Sequence, residues 1–255
     1  MRWMSGLSLF AGLSLSANVF AAPQTITGPA THDSLLELYT SEGCDSCPPA
    51  EQFISTLQTN GTLWTQLVPV TFHVDYWDND GWKDPFDSHS YTERQQDLAN
   101  HANSLTGKVI YTPELVLDGV AKRPGSRDNS PQIDPNTKLG PLTLTADGRK
   151  VTVQFAPTMP RSEALQAQVV LMAFGVDVPI GAGENKGKTL RHDFLVISDA
   201  TGALTRGKDG NYQASVTLPQ PVAVKATRYA LAGWVSAADS PVPIQAAGGW
   251  LAKAP

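Results

Sequence analysis

The chain has 255 residues, with 19 Lys+Arg against 24 Asp+Glu and a net charge of −5. It carries no strong basic block, which argues against nucleic acid and anionic membrane as partners. Composition is ordinary for a globular protein, its 21 Gly and 19 Pro promise many turns, and only two cysteines occur.

The first segment reads as a secretory signal peptide. Met1-Arg2-Trp3 carries one positive charge, Leu7 to Ala17 is apolar, and Val19-Phe20-Ala21 is a cleavage signal with small residues at its ends. The apolar core is too short to span a bilayer. Residues 1–21 are therefore excluded from fold reasoning. A periplasmic or secreted protein is expected, with no stable membrane insertion after cleavage. Export implies an oxidising compartment, where a cysteine pair can persist as a disulfide.

Residues 22–33 are polar, contain Pro23 and Pro29, and read as a leader. Leu35 to Tyr39 reads as a buried strand, and Thr40 to Cys44 as a loop. Gly43-Cys44-Asp45-Ser46-Cys47-Pro48-Pro49 holds both cysteines. Pro48 and Pro49 suit the first turn of a helix, where a missing N–H costs nothing. Phe53, Ile54 and Leu57 then share one helical face, and Asn60-Gly61 ends it. Cys44 is thereby placed at a helix N-terminus. Leu67 to Val74 alternates as a second strand, and Ser90-Tyr91-Thr92-Glu93 matches a capping box opening a helix to about Ala102. Glu114 to Leu117 is a strand, Asp118-Gly119 a hairpin turn, and Val120-Ala121 the return. Pro113, between apolar runs, suggests a tight turn and a cis bond.

Strand, helix, strand, helix, strand, hairpin predicts an α/β layer fold over residues 34–122. Residues 123–138 are rich in Pro, Gly, Ser, Asp and Asn and read as a linker. From 139 to 255, short strands between turns predict a β-rich, sandwich-like domain.

The chemistry centres on Cys44 and Cys47. A bridge between them closes a loop too small to staple a fold, which argues against a purely structural purpose. A helix N-terminus favours the thiolate, the nucleophile of disulfide exchange. Cys44 is the expected exposed attacker. Cys47, one turn in, is the expected resolving thiol. Asp45 places negative charge beside Cys44 and opposes the thiolate. That predicts a pair that is not a strong oxidant. No bound cofactor is needed, because the pair carries the electrons itself. No metal is expected either: the histidines lack a second tight ligand pair, and Asp75, Asp78, Asp80 and Asp84 fail the calcium-loop pattern. His73 and Asp75, where the second strand ends, could serve proton transfer; a simply paired histidine is the plainer reading. Trp77, Trp82 and Phe86 form either an apolar wall for a peptide or a loop core roofing the sheet. Gly183 to Lys188 lacks phosphate-loop spacing and reads as a plain loop.

A strand, a Cys-x-x-Cys-Pro at the next helix start, and a later Thr-Pro followed by a strand and glycine hairpin resemble the thioredoxin superfamily. The resemblance implies that Pro113 is a cis-proline shaping the site and that Thr112 pairs with a substrate chain. That superfamily often has tryptophan where Gly43 stands. It also has a buried acid one position nearer the cysteines than Glu37; Glu37 is kept as a candidate supporting group for the site, although on a regular strand that offset turns it to the opposite side. A closer likeness, carried by Leu38-Tyr39-Thr40-Ser41-Glu42-Gly43-Cys44, Cys47-Pro48-Pro49-Ala50-Glu51, His73 to Asp78, Gly81 to Phe86, Arg94-Gln95 and Tyr111-Thr112-Pro113, is to the bacterial exported thioredoxin-like family called domain of unknown function 1223. That name carries no established activity. The expected function is exchange of disulfides with protein or peptide thiols. A non-catalytic binding module and a copper(I) metallochaperone are the alternatives, the latter because soft thiolates select that ion.

Overall fold

The structure, a computed structural model, describes residues 23–101, 108–122 and 134–252. The signal peptide, the predicted helix end at Ala102 and most of the 123–138 linker lie outside the described residues. In chain order the elements are β1 (Gln24–Thr27), β2 (Ser34–Thr40), α1 (Pro48–Thr56), β3 (Leu67–His73), α2 (His89–His101), β4 (Glu114–Leu117), β5 (Val120–Lys122), β6 (Leu142–Asp147), β7 (Lys150–Phe155) and β8 (Leu165–Phe174). There follow β9 (Val176–Pro179), β10 (Thr189–His192), β11 (Leu195–Ala203), β12 (Thr205–Arg206), β13 (Tyr212–Thr217), β14 (Arg228–Ala237) and β15 (Pro243–Trp250).

The expected α/β thioredoxin-like fold is not what forms. The protein is mostly β-sheet, 44% strand against 13% helix, with two α-helices among the described residues. One sheet has eight strands in the order β15-β14-β8-β11-β3-β2-β4-β5. β2 and β3 run parallel, and β3 is an inner strand. β11 joins it in parallel at Leu195↔Thr71, and the Thr71 N–H donates to the Phe194 carbonyl at 2.9 Å. A second, antiparallel sheet runs β1-β6-β7-β13-β12, so part of the polar leader is a strand. β9 and β10 form a separate hairpin.

Alternation along β8 shows how the layers meet. Leu165, Ala167, Val169, Leu171 and Ala173 pack with Leu142, Leu144, Val151, Val153 and Phe155 of the five-stranded sheet. Val170, Met172 and Phe174 turn the other way, into the core shared with β2, β3, α1 and α2. Both faces of β8 are therefore buried, which accounts for its nearly continuous apolar run.

β2 is buried along its whole length, with helices taking residues from both faces. Thr40 and His73 sit side by side on the α1 face, where the Thr40 hydroxyl donates to Glu51 Oε1 at 2.7 Å. Glu37 and Tyr39 are on the other face. There Arg94 of α2 holds Glu37 with Nε at 2.6 Å and Nη2 at 3.0 Å, and the Tyr39 hydroxyl donates to it at 2.8 Å. A carboxylate inside a strand is tolerable when bound this fully.

Candidate functional site

The chain leaves β2 at Thr40 and makes two tight turns. The Cys44 N–H donates to the Ser41 carbonyl and the Cys47 N–H to the Cys44 carbonyl. These turns bring the Cys44 and Cys47 Cα atoms to 5.4 Å, and the sulfurs are joined in a disulfide. Pro48 and Pro49 open α1, and Ala50 and Glu51 donate their N–H groups to the Cys47 carbonyl. Cys47 is thus the residue capping the helix, and Cys44 lies ahead of it in the loop.

Cys44 is not the exposed sulfur the sequence suggests. Both cysteines are fully buried, while Asp45 and Ser46 between them are exposed. The cover is the β9–β10 hairpin tip, which the sequence presents as a plain loop. Buried Asn185 donates through Nδ2 to the Glu42 carbonyl at 2.8 Å and the Cys44 carbonyl at 2.9 Å. Glu184 Oε2 accepts the Asp45 N–H at 3.2 Å. Trp82 packs under Gly181 and Gly183 of the same tip.

A second wall is built on Trp77. A Cβ placed on Gly43 would lie 3.0 Å from Trp77 Cβ, so Gly43 is small because Trp77 occupies the space beside the cysteine loop. The Trp77 indole N–H donates to Thr112 Oγ1 at 2.7 Å, and the Thr112–Pro113 bond is cis. Trp77 therefore ties the Thr112-Pro113 turn to Gly43.

Below the cysteines lies a buried cluster of Glu42, Glu51, His73, Asp84 and His192. His73 Nδ1 is 2.7 Å from Asp84 Oδ2, whose two oxygens also accept the Glu42 and Phe86 N–H groups. His192 Nε2 is 3.1 Å from Glu42 Oε1, and Glu42 Oε2 accepts the Trp82 indole N–H at 2.7 Å. His192 Nδ1 lies 2.9 Å from Glu51 Oε2. The two imidazoles meet edge to face at 5.0 Å, and Phe86 packs against both. Burial opposes a charge on His192, but Glu51 and Glu42 outweigh it and push its pKa up to about 10. Burial likewise opposes ionisation of Glu51 and Asp84, yet the adjacent histidines and hydrogen bonds hold both carboxyls below their usual range.

The other residues singled out from the sequence fall elsewhere. Glu37 is occupied by Arg94 and Tyr39 on the α2 face of β2. Asp75 holds the start of α2, accepting from Thr92 Oγ1 at 2.6 Å and lying 2.9 Å from His89 Nδ1, rather than serving the thiols. Phe86 is buried and Trp82 half-buried, so both belong to the roof of the cluster more than to an open wall. Asn185, Glu42 and Glu51 were not picked out individually, and Asp84 and His192 were weighed from the sequence only as metal ligands and set aside. Glu42, Glu51 and Asp84 lie within the segments that carry the family likeness. Nothing local marks Asn185 or His192.

The fold and site define a mixed-sheet β protein that buries a short-loop disulfide above a histidine–carboxylate cluster. The family model described as protein of unknown function (DUF1223) matches residues 35–236, and the chain belongs to that family. Two solved structures share the fold. A protein from Agrobacterium tumefaciens is 21% identical with a TM-score of 0.51, the match covering 87% of this chain and 94% of that one. HBP35 of Porphyromonas gingivalis is 14% identical with a TM-score of 0.56, covering 89% of this chain and 77% of that one. No curated protein matches the chain. No helix among the described residues is long and apolar enough to cross a membrane.

Proposed function

We propose that this is an exported thiol–disulfide exchange protein whose working group is Cys44–Cys47. The observation that carries the reading is the disulfide itself, which joins residues three apart ahead of α1, in a loop that the 180–188 tip holds through two Asn185 hydrogen bonds. Opening the 180–188 tip exposes the pair without breaking a covalent bond. The tip is a hairpin end, the kind of segment that opens locally at low cost.

In the reduced protein, the Cys44 thiolate attacks one sulfur of a partner disulfide and releases the other as a thiolate. The Cys47 thiolate then attacks Cys44 of the mixed disulfide and releases the second partner thiolate. The Cys44–Cys47 bond forms, the partner disulfide breaks, and two electrons pass to the partner. A dithiol donor restores the reduced pair. Thr112, Pro113, Trp77 and Trp82 flank the opening and would shape the docking edge for a protein or peptide. Asp45 and Glu184 put two carboxylates beside the loop, which disfavours the thiolate and keeps the pair from the strongly oxidising end.

The complete burial of both sulfurs favours a second reading, a non-catalytic binding module. Insulin reduction by dithiothreitol separates the two. Acceleration by the wild type, lost in Cys44→Ser, with a mixed disulfide trapped in Cys47→Ser, supports exchange. An inactive wild type that forms no mixed disulfide in either variant supports the module.

A further inference from the structure

We infer that His73 Nε2, His192 Nδ1 and Glu51 Oε2 form a binding site for one divalent first-row transition ion, with zinc the expected occupant. The site is independent of the thiol chemistry. Its three residues come from β3, β10 and α1, and each offers one ligand atom, all within 4.8 Å of one another.

The argument rests on where the other atom of each side chain is bound. His73 turns Nδ1 to Asp84, His192 turns Nε2 to Glu42, and Glu51 gives Oε1 to the Thr40 hydroxyl. Metal-ligating histidines almost always anchor their second nitrogen on a carboxylate, backbone carbonyl or water in this way, which fixes the tautomer and ring orientation. With Nδ1–H donated to Asp84, His73 Nε2 is a lone pair, and it is buried without a hydrogen-bond partner. With Nε2–H donated to Glu42 and the Nδ1 proton displaced by an ion, His192 Nδ1 is a second ligand atom. It lies 2.9 Å from Glu51 Oε2. Two acceptors that close need a cation between them. A proton could serve for that pair, but it leaves His73 Nε2 unsatisfied; a metal ion serves all three.

The donor chemistry fits. Two imidazoles and a carboxylate are an established zinc set with an open fourth position. Tetrahedral bonds of about 2.1 Å space ligands by about 3.4 Å, so the side chains need shift by only about an ångström. Phe86 against both rings supplies the apolar surround.

The test uses the mature chain with its disulfide intact, stripped with chelator, dialysed and titrated with Co²⁺ and Zn²⁺. The expected result is one ion per chain, with Co²⁺ visible bands of tetrahedral intensity and no thiolate charge-transfer band. His73→Gln should weaken Zn²⁺ binding by about 100-fold or more, and Asp84→Asn by about 10-fold through the anchor. A Co²⁺ spectrum of the free aquo ion at saturation overturns the inference and leaves the proton as occupant. So does binding that His73→Gln leaves unchanged. Should that variant not fold, X-ray absorption on zinc-loaded wild type decides: two imidazoles and an oxygen ligand support the site, and fewer than two imidazoles overturn it. Insulin turnover is a separate measurement, so either proposal can fail alone.

Discussion

Asn185→Ala tests the idea that the disulfide is gated by the hairpin tip. The substitution removes both hydrogen bonds from Asn185 Nδ2 to the Glu42 and Cys44 carbonyls, and the Oδ1 contact that accepts from Lys188 Nζ. Leaving a buried acceptor unsatisfied costs about 1–3 kcal/mol. Two carbonyls are affected, and water can reach them once the tip loosens, so about 2 kcal/mol is a fair figure for the shift in the opening equilibrium. With both sulfurs fully buried, a small thiol must wait for opening. A 2 kcal/mol shift then raises the reduction rate by about 30-fold, since each 1.36 kcal/mol is tenfold. The assay is pseudo-first-order reduction by dithiothreitol, quenched with a thiol-alkylating reagent and read by mass. Far-UV circular dichroism should be unchanged. A variant reduced no faster than wild type, with its fold intact, refutes gating by this contact.

Three other expectations concern the frame around the site. Arg94→Met strands Glu37 as a buried carboxylate and should cost about 3–5 kcal/mol in urea unfolding, with part recovered in the double variant with Glu37→Gln; additive costs would contradict the pairing. Gly43→Ala forces Trp77 aside and should cost about 1 kcal/mol or more, an effect absent when Trp77 is first cut to Ala. Asp33 is buried with neither carboxyl oxygen hydrogen-bonded, and burial, aided by the charge of Asp118, pushes its pKa up to about 8. The folded state therefore keeps a proton that the unfolded chain loses near pH 4. This contribution falls as pH rises from about 4 to about 8, by an amount on the order of a few kcal/mol. Asp33→Asn should flatten that slope and stabilise the protein at pH 8; an unchanged slope in urea melts at pH 5 and pH 8 would rule Asp33 out as its source.

Local features of the chain were readable because local physics sets them. Pro48-Pro49 opens α1, Asp118-Gly119 takes the left-handed turn between β4 and β5, and Thr112–Pro113 is cis. Glu37, a candidate for the site, instead lies on the α2 face of β2, and Arg94 is the reason that carboxylate can be there. The overall fold was not readable in this way. Strand–helix alternation in the first half says nothing about which strand will cover the β3 edge, and β11 arrives from more than 120 residues away at Thr71. The apolar run of β8 shows burial on both faces without naming the partners. The same limit applies to the site. Helix placement suggested an exposed Cys44, but the cysteine loop is bound by Asn185, a polar residue in a glycine-rich loop with no local signal. Spacing along the chain does not show that His73 and His192 meet, because they are brought together only when β10 folds against α1.

The most direct test of the account is the reduction potential of Cys44–Cys47, measured by equilibration in glutathione or dithiothreitol redox buffers. An exchange site disfavouring its thiolate should equilibrate reversibly between about −300 and −180 mV. A value well below about −300 mV would mark a structural disulfide and contradict the proposed function, and one near −120 mV would contradict the weak-oxidant character assigned from Asp45 and Glu184.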